Sequence, residues 1–350
     1  MIAEIPLNPK SLFYCRTPLQ LKIAQRVIDI KNLSSNYFLI YHPADNSNKH
    51  CYYYKNFNTK NKIFITFIDR LPFIIGELFA WNRLPKNIKT SSFNEIYFAS
   101  LNSILLSKLS TKNTTAALNL FDDGLLNIDK NNFYLMIHSD HSVHIFLRKV
   151  LSINQNKDIL KRIKTHYTIY DTNLSDWMPC KSVKINLFQN DILFAEKTSN
   201  SKVKLRVLIG TAFRSLKKSS FPIHDNLSRS NKFDIFIPHP ASELDFRSPA
   251  FLKNVINKDM LENLIAEDII FELKKNGYTD IVLYGFSSSV LLNLKEYTKS
   301  VSIFLIESFD IDRALVAKSL RRAGIKTLSE DPSNENFLSI NKLNELTSRS

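Results

Sequence analysis

Nine short apolar runs, each closed abruptly by a turn residue or a polar group, set the strongest limit on how this chain can fold. The first five are SLFYC (11–15), YFLIYH (37–42), KIFITFI (62–68), EIYFAS (95–100) and ALNLFDD (117–123). After residue 200 the series restarts with LRVLIGT (205–211), FDIFIPHP (233–240), DIVLYGF (280–286) and VSIFLIE (301–307). Runs of this length alternating with longer helix-compatible stretches specify the α/β class. A polar segment, AEKTSNSKVK (195–204), separates the two series and reads as a linker. The expected organisation is an α/β domain over 1–195, a linker at 196–204, a second α/β domain over 205–330 and a tail helix at 331–350. The two domains are expected to face each other across a cleft.

Composition narrows the function classes. The chain has 350 residues, enough for two cores of ordinary size, and 44 % of them are hydrophobic. Its three cysteines, Cys15, Cys51 and Cys180, show no paired spacing, so neither a disulfide framework nor a zinc site is expected. Glu4, Pro6 and Pro9 interrupt the first residues, so no secretory signal is read there and a cytoplasmic location is expected. The nearest candidate for a membrane span, IFITFIDRLPFIIGELFAW (63–81), is broken by Asp69, Arg70 and Glu77 and reads as core helix, with a membrane-facing or partner-facing patch as the lesser alternative. The net charge of +14 favours an anionic partner: nucleic acid, a phosphorylated glycolipid or an acidic membrane. The basic residues are dispersed and match no nucleic-acid-binding motif, so nucleic acid is not the expected partner.

The polar clusters sit just past the carboxyl ends of the expected strands, where open parallel sheets bind ligands. Only six glycines occur in the chain, against an average usage of roughly 7 %. Three of them, Gly124, Gly210 and Gly285, fall in these clusters. In FDDG, Gly124 allows a sharp turn while Asp122 and Asp123 stay at the sheet rim; the pair reads as a metal site, an N-cap or a general base with a supporting carboxylate. Metal is the weakest of these readings, because nothing nearby completes a ligand set. His239, fixed between Pro238 and Pro240, is a candidate proton donor or phosphate contact, against a plain structural role. In YGFSSS the serines following Gly285 open a helix, and either cap it or bind an anion there.

The set FYCRTPLQLKIA (13–24), FDDGLLNI (121–128), LIGTAF (208–213), IPHPASE (237–243) and YGFSSS (284–289), in that order, resembles the bacterial sialyltransferases of glycosyltransferase family 52, which act on lipooligosaccharide. The resemblance implies a GT-B architecture of two Rossmann-like domains and an inverting, metal-independent transfer from CMP-N-acetylneuraminate to a terminal galactose. It makes Asp122 the candidate base, with Asp123 beside it, and His239 the acid or phosphate-stabilising group. Asp225 is the alternative base. Gly210 and Thr211 line the nucleotide pocket, with Pro240 and Gly285 on the donor side. Ser287 and Ser288 hold the phosphate, or Ser288 and Ser289 in the other register. Glu267 takes the ribose hydroxyls, or is an exposed helix position. No cofactor is implied beyond the CMP-sialic acid donor. The expected setting is peripheral contact with the inner face of the inner membrane, and a homodimer is permitted. The competing readings are a UDP-sugar-dependent transferase acting on the same glycolipid and a non-catalytic glycan- or nucleic-acid-binding relative.

Overall fold

The computed structural model describes residues 9–33, 36–43, 45–66, 73–101, 103–122, 142–175, 177–188, 203–210, 233–239, 248, 252, 255–286, 288–304 and 320–329. The chain divides into two compact units, Met1–Leu187 and Phe188–Ser350.

In the first unit the described strands are β1 (Ser11–Cys15), β2 (Tyr37–Tyr41), β3 (Lys62–Phe64), β4 (Glu95–Phe98), β5 (Ala117–Phe121), β6 (Ile163–Thr168) and β7 (Lys181–Lys184). They form one sheet in the order β3-β2-β1-β4-β5-β6-β7, and every pairing is parallel. Parallel strands need covering on both faces, and the alternation of side chains divides that work. Leu12, Tyr14, Phe38, Ile40, Ile96, Phe98, Leu118 and Leu120 point into one core. Phe13, Cys15, Leu39, Tyr41, Tyr97 and Phe121 point into the other. The second core is closed by α1 (Pro18–Lys31), through Leu21, Ile23, Ala24 and Val27, with α2 (Asn48–Asn56) beside it. The first is closed by α3 (Phe73–Arg83), α4 (Lys86–Thr90), α5 (Ile104–Lys112) and α7 (Asn156–Lys161). The helix α6 (Ser142–Val150) packs on α5, as α3 does.

Local chemistry sets the helix starts. Thr17 caps α1 by accepting from the Gln20 amide at 3.3 Å, with Pro18 opening the helix. Ser103 caps α5 by accepting from the Leu106 amide at 3.1 Å. The remaining free amides of α5, on Ile104 and Leu105, donate to Glu77 Oε2. Glu77 reaches across from α3, is 1 % exposed, and lies 3.7 Å from the Arg16 guanidinium.

The second unit holds β8 (Leu205–Ile209), β9 (Ile235–Ile237), β10 (Ile281–Gly285), β11 (Lys299–Phe304) and β12 (Lys326–Ser329). These strands are again all parallel, in the order β12-β11-β10-β8-β9. The described helices are α8 (Lys258–Asn263), α9 (Ala266–Lys275) and α10 (Ser289–Asn293). Phe188 packs on Phe271 of α9 with the rings tilted and 4.5 Å between centroids, and meets Tyr297 edge-on at 5.8 Å. The Arg206 guanidinium and amide both bond Asp234, joining the entries of β8 and β9.

Several sequence readings change. Among the described residues of the run at 62–68 the strand covers Lys62–Phe64, so the stretch 63–81 is not one core helix: it holds a strand end and part of α3, with 67–72 outside the described residues. In α3, Phe79 stands 47 % exposed. Strands β6, β7 and β12 have no counterpart in the sequence reading. The tail at 331–350 lies outside the described residues, as do 196–202 of the expected linker.

Glu77→Ala strips two buried amides of their acceptor and Arg16 of a counter-charge. It is expected to cost roughly 2–4 kcal/mol of stability, read as a lowered thermal and urea midpoint, with Glu77→Gln losing less.

Candidate active site

In each unit the strand order reverses once, between β1 and β4 in the first and between β8 and β10 in the second. The crevice at such a reversal, outside the carboxyl ends of the strands, is where doubly wound sheets take ligands.

The two crevices are furnished differently. At the first, Tyr14 Oη pairs with His42 Nδ1 at 3.2 Å and accepts from Ser103 Oγ at 3.1 Å. Burial is the first cause that lowers the His42 pKa to about 4, with Arg16 and then Arg83 adding to it. Burial likewise raises Tyr14 and Glu77, the latter against the opposing pull of Arg16 and the α5 amides. Two helices start at this reversal, α1 after β1 and α5 after β4; the α5 start is filled by the carboxyl group of Glu77.

Asp122 follows directly on β5 and has no exposed surface. Its Oδ1 lies 2.8 Å from His166 Nε2, and its Oδ2 accepts from Thr168 Oγ1 at 2.9 Å and from the Ile169 amide at 2.7 Å. Both carboxyl oxygens are therefore engaged with β6 and its exit. His166 is also fully buried, and among the described residues its Nδ1 has no hydrogen-bond partner. His166 and Thr168 escaped the sequence reading, although their spacing of two places both on one face of a strand. Asp123 and Gly124 lie outside the described residues.

In the second unit the structure brings Gly210 and His239 together. The Gly210 amide donates to Ile237 O at 2.8 Å. A Cβ on residue 210 would stand 2.9 Å from the His239 amide nitrogen and 3.2 Å from Pro238 Cα, both backbone atoms. Only glycine admits this approach, and it sets the half-buried His239 at the exit of β9, next to that of β8. The register Gly285–Ile209–Ile237 aligns the exits of β10, β8 and β9 on one edge.

Gly285 leads towards Ser288, which caps α10 by accepting from the Val290 amide at 3.3 Å. A Cβ at Gly285 would only touch Leu291 at 3.4 Å. Glu267, in the first turn of α9, is not an exposed helix position: it is 5 % exposed and accepts from Asn293 Nδ2 of α10 at 2.7 Å. Thr211, Asp225, Pro240 and Ser287 lie outside the described residues. Among the described residues no group of three or more His, Cys, Asp or Glu stands together as a metal site.

Two Rossmann-like units in one chain, with their polar residues at the carboxyl edges, give the molecule the make-up of a GT-B glycosyltransferase. Comparison with known proteins supplies the particular family. The sequence model of glycosyltransferase family 52 matches residues 33–309, so the chain belongs to that family. It is 23 % identical over 302 residues to an N-acetyllactosaminide alpha-2,3-sialyltransferase of Neisseria meningitidis serogroup A / serotype 4A, covering 83 % of this chain and 76 % of that one. A protein of the same description from Haemophilus influenzae is 25 % identical over 294 residues, covering 81 % and 88 %. The GT-B domain of a Photobacterium damselae sialyltransferase aligns over 91 % of this chain and 99 % of that one, at 12 % identity and a TM-score of 0.45.

Gly210→Ala is expected to push the β8 and β9 exits apart, costing about 1–3 kcal/mol and displacing His239; thermal melts and turnover would both report it. His42 supplies a pH dependence. The unfolded chain takes up its proton near 6.5 and the folded chain only near 4, so this contribution to stability is full above pH 6.5 and is lost as pH falls through 4. The thermal midpoint should drop across that window, and His42→Gln should flatten the slope.

Proposed function

We propose that the protein is an inverting sialyltransferase that moves N-acetylneuraminate from CMP-N-acetylneuraminate to a terminal galactose of a glycolipid. The alpha-2,3 linkage is adopted from the names of its relatives. The observation that carries the reading is the Gly210–His239 contact, a glycine-enforced setting for an imidazole at the carboxyl edge of the second sheet.

In this reading the second unit takes the donor. Its strand exits carry His239 and Ser288, whereas the corresponding helix start of the first unit is filled by Glu77. The CMP leaving group departs with a single phosphate. A protonated His239 gives a proton or a hydrogen bond to the departing phosphate oxygen, while serine hydroxyls of the 287–289 stretch hold the same group. The acceptor hydroxyl attacks the anomeric carbon of the sialic acid, the bond from that carbon to the phosphate oxygen breaks, and the hydroxyl proton passes to a carboxylate. The DDG pair divides this last task. Asp122 gives both oxygens to β6 and holds the strand exit in place, so Asp123 takes the proton. Glu267, held by Asn293, is assigned to the ribose hydroxyls. No step calls for a metal ion.

The glycolipid acceptor implies work at the inner face of a membrane, and the net charge of +14 suits that surface. Among the described residues no helix is long and apolar enough to cross a membrane.

The test follows CMP release from CMP-N-acetylneuraminate with lactose as acceptor, in EDTA. Acceptor-dependent release should survive EDTA. It should fall ~10²–10⁴-fold in Asp123→Asn and His239→Ala, the range for lost acid–base catalysis. Asp122→Asn should lose activity together with thermal stability, whereas Asp123→Asn should leave the melt unchanged. Unimpaired Asp123→Asn would move the base to Asp122 or Asp225. Release of UDP from a UDP-sugar, with none of CMP, would replace sialyl transfer by the rival chemistry.

A further inference from the structure

The helix α6 is amphipathic in the wrong sense for a surface helix. Such a helix normally buries its apolar stripe and shows its charges. Here Arg148 has no exposed surface and donates to Leu101 O at 3.4 Å, while Phe146 is 64 %, Val150 61 % and Ile145 38 % exposed. Pairs four residues apart stack along a helix, so Ile145 with Lys149 and Phe146 with Val150 make one continuous outward face. An apolar face of this kind marks an interaction surface.

Charge says what the face meets. The three helices of this layer, α3, α5 and α6, contain a single acidic residue, Glu77, which is buried and spent on the α5 amides. Their surface charges are all positive. On α5, Lys108 lies 4.5 Å over the Trp81 ring, and the neighbouring charges of Lys89 and Lys112 add to burial in lowering its pKa, the mark of crowded cations. The imbalance extends to the whole unit. Residues 1–187 hold 24 Lys and Arg against 13 Asp and Glu, a net +11, while residues 188–350 hold 23 against 20, a net +3.

We propose that the α6 face formed by Ile145, Phe146, Lys149 and Val150 docks on an anionic lipid bilayer. The apolar side chains enter the headgroup boundary while Lys149, with the lysines of the adjoining α5, meets lipid phosphates, as in interfacial helices generally. The proposal rests on the reading of the acceptor as a glycolipid, and it assigns the membrane-facing surface to the first unit.

The experiment sediments the full chain with vesicles of phosphatidylcholine alone, and of phosphatidylcholine with one part in three phosphatidylglycerol. Wild type, Phe146→Ser/Val150→Ser and Lys149→Glu are compared, and transfer to lactose is measured in parallel. Wild type should bind the anionic vesicles ~10-fold or more above the neutral ones, with binding falling as salt rises. The double variant should lose at least ~10-fold of that binding, and Lys149→Glu a smaller part, while both keep wild-type transfer to lactose. Equal vesicle binding by wild type and the double variant would overturn the proposal. So would a wild-type dimer in light scattering that the same variant dissolves, which would make the face a contact between copies. Vesicle binding without sialyl transfer would retain the surface and reject the reaction.

Discussion

Parallel pairing of β1 with both β2 and β4 is the constraint from which the rest of the first unit follows. The strand β1, paired on both sides and covered on both faces, carries no charged side chain, and all of SLFYC is buried. Because every strand runs the same way, every strand exit lies along one edge, and polar residues excluded from the sheet collect there. The same logic rules the second unit, where the tightest point is a backbone contact. Gly210 has given up its side chain so that the exits of β8 and β9 can touch.

The strands buried in the middle of each sheet were legible because burial on both faces leaves an uninterrupted apolar signature. Three strands nearer the edges were not, although the edge strands β3 and β9 were read. IKTHYT, KSVK and KTLS form β6, β7 and β12 at or next to sheet edges, where polar side chains are tolerated and the apolar signature lapses. That lapse also hid His166 and Thr168. Their partner Asp122 could be picked out from FDDG, but the depth of its burial could not, since it depends on β6 closing over it. Glu77 was read only as an interruption in an apolar stretch; that it fills a helix start on another element is a tertiary fact. Glu267 was visible as a carboxylate, while its bond to Asn293 across 26 residues was not.

The contrast between the two crevices gives the chain its polarity. The first unit meets the α5 start with its own carboxyl group, beside a buried, neutral His42–Tyr14–Ser103 chain. The second unit leaves the corresponding edge to glycines, serine and a half-buried histidine. The α5 start of the first sheet is thereby occupied from within the unit, although both sheets have the same kind of winding.

The Asp122 bridge also has a meaning for the order in which the protein is made. Asp122 leaves the ribosome 44 residues ahead of His166, an interval of roughly 2–9 s at about 5–20 residues per second. Over that interval a carboxyl group destined for complete burial has none of its three donors, and β5 is the last strand of a sheet still open on that side. The exit of β5 is therefore completed late, by a segment that lies beyond it in the chain. A nascent first unit stays unfinished at the exit of β5 until β6 docks, however early its central strands have paired.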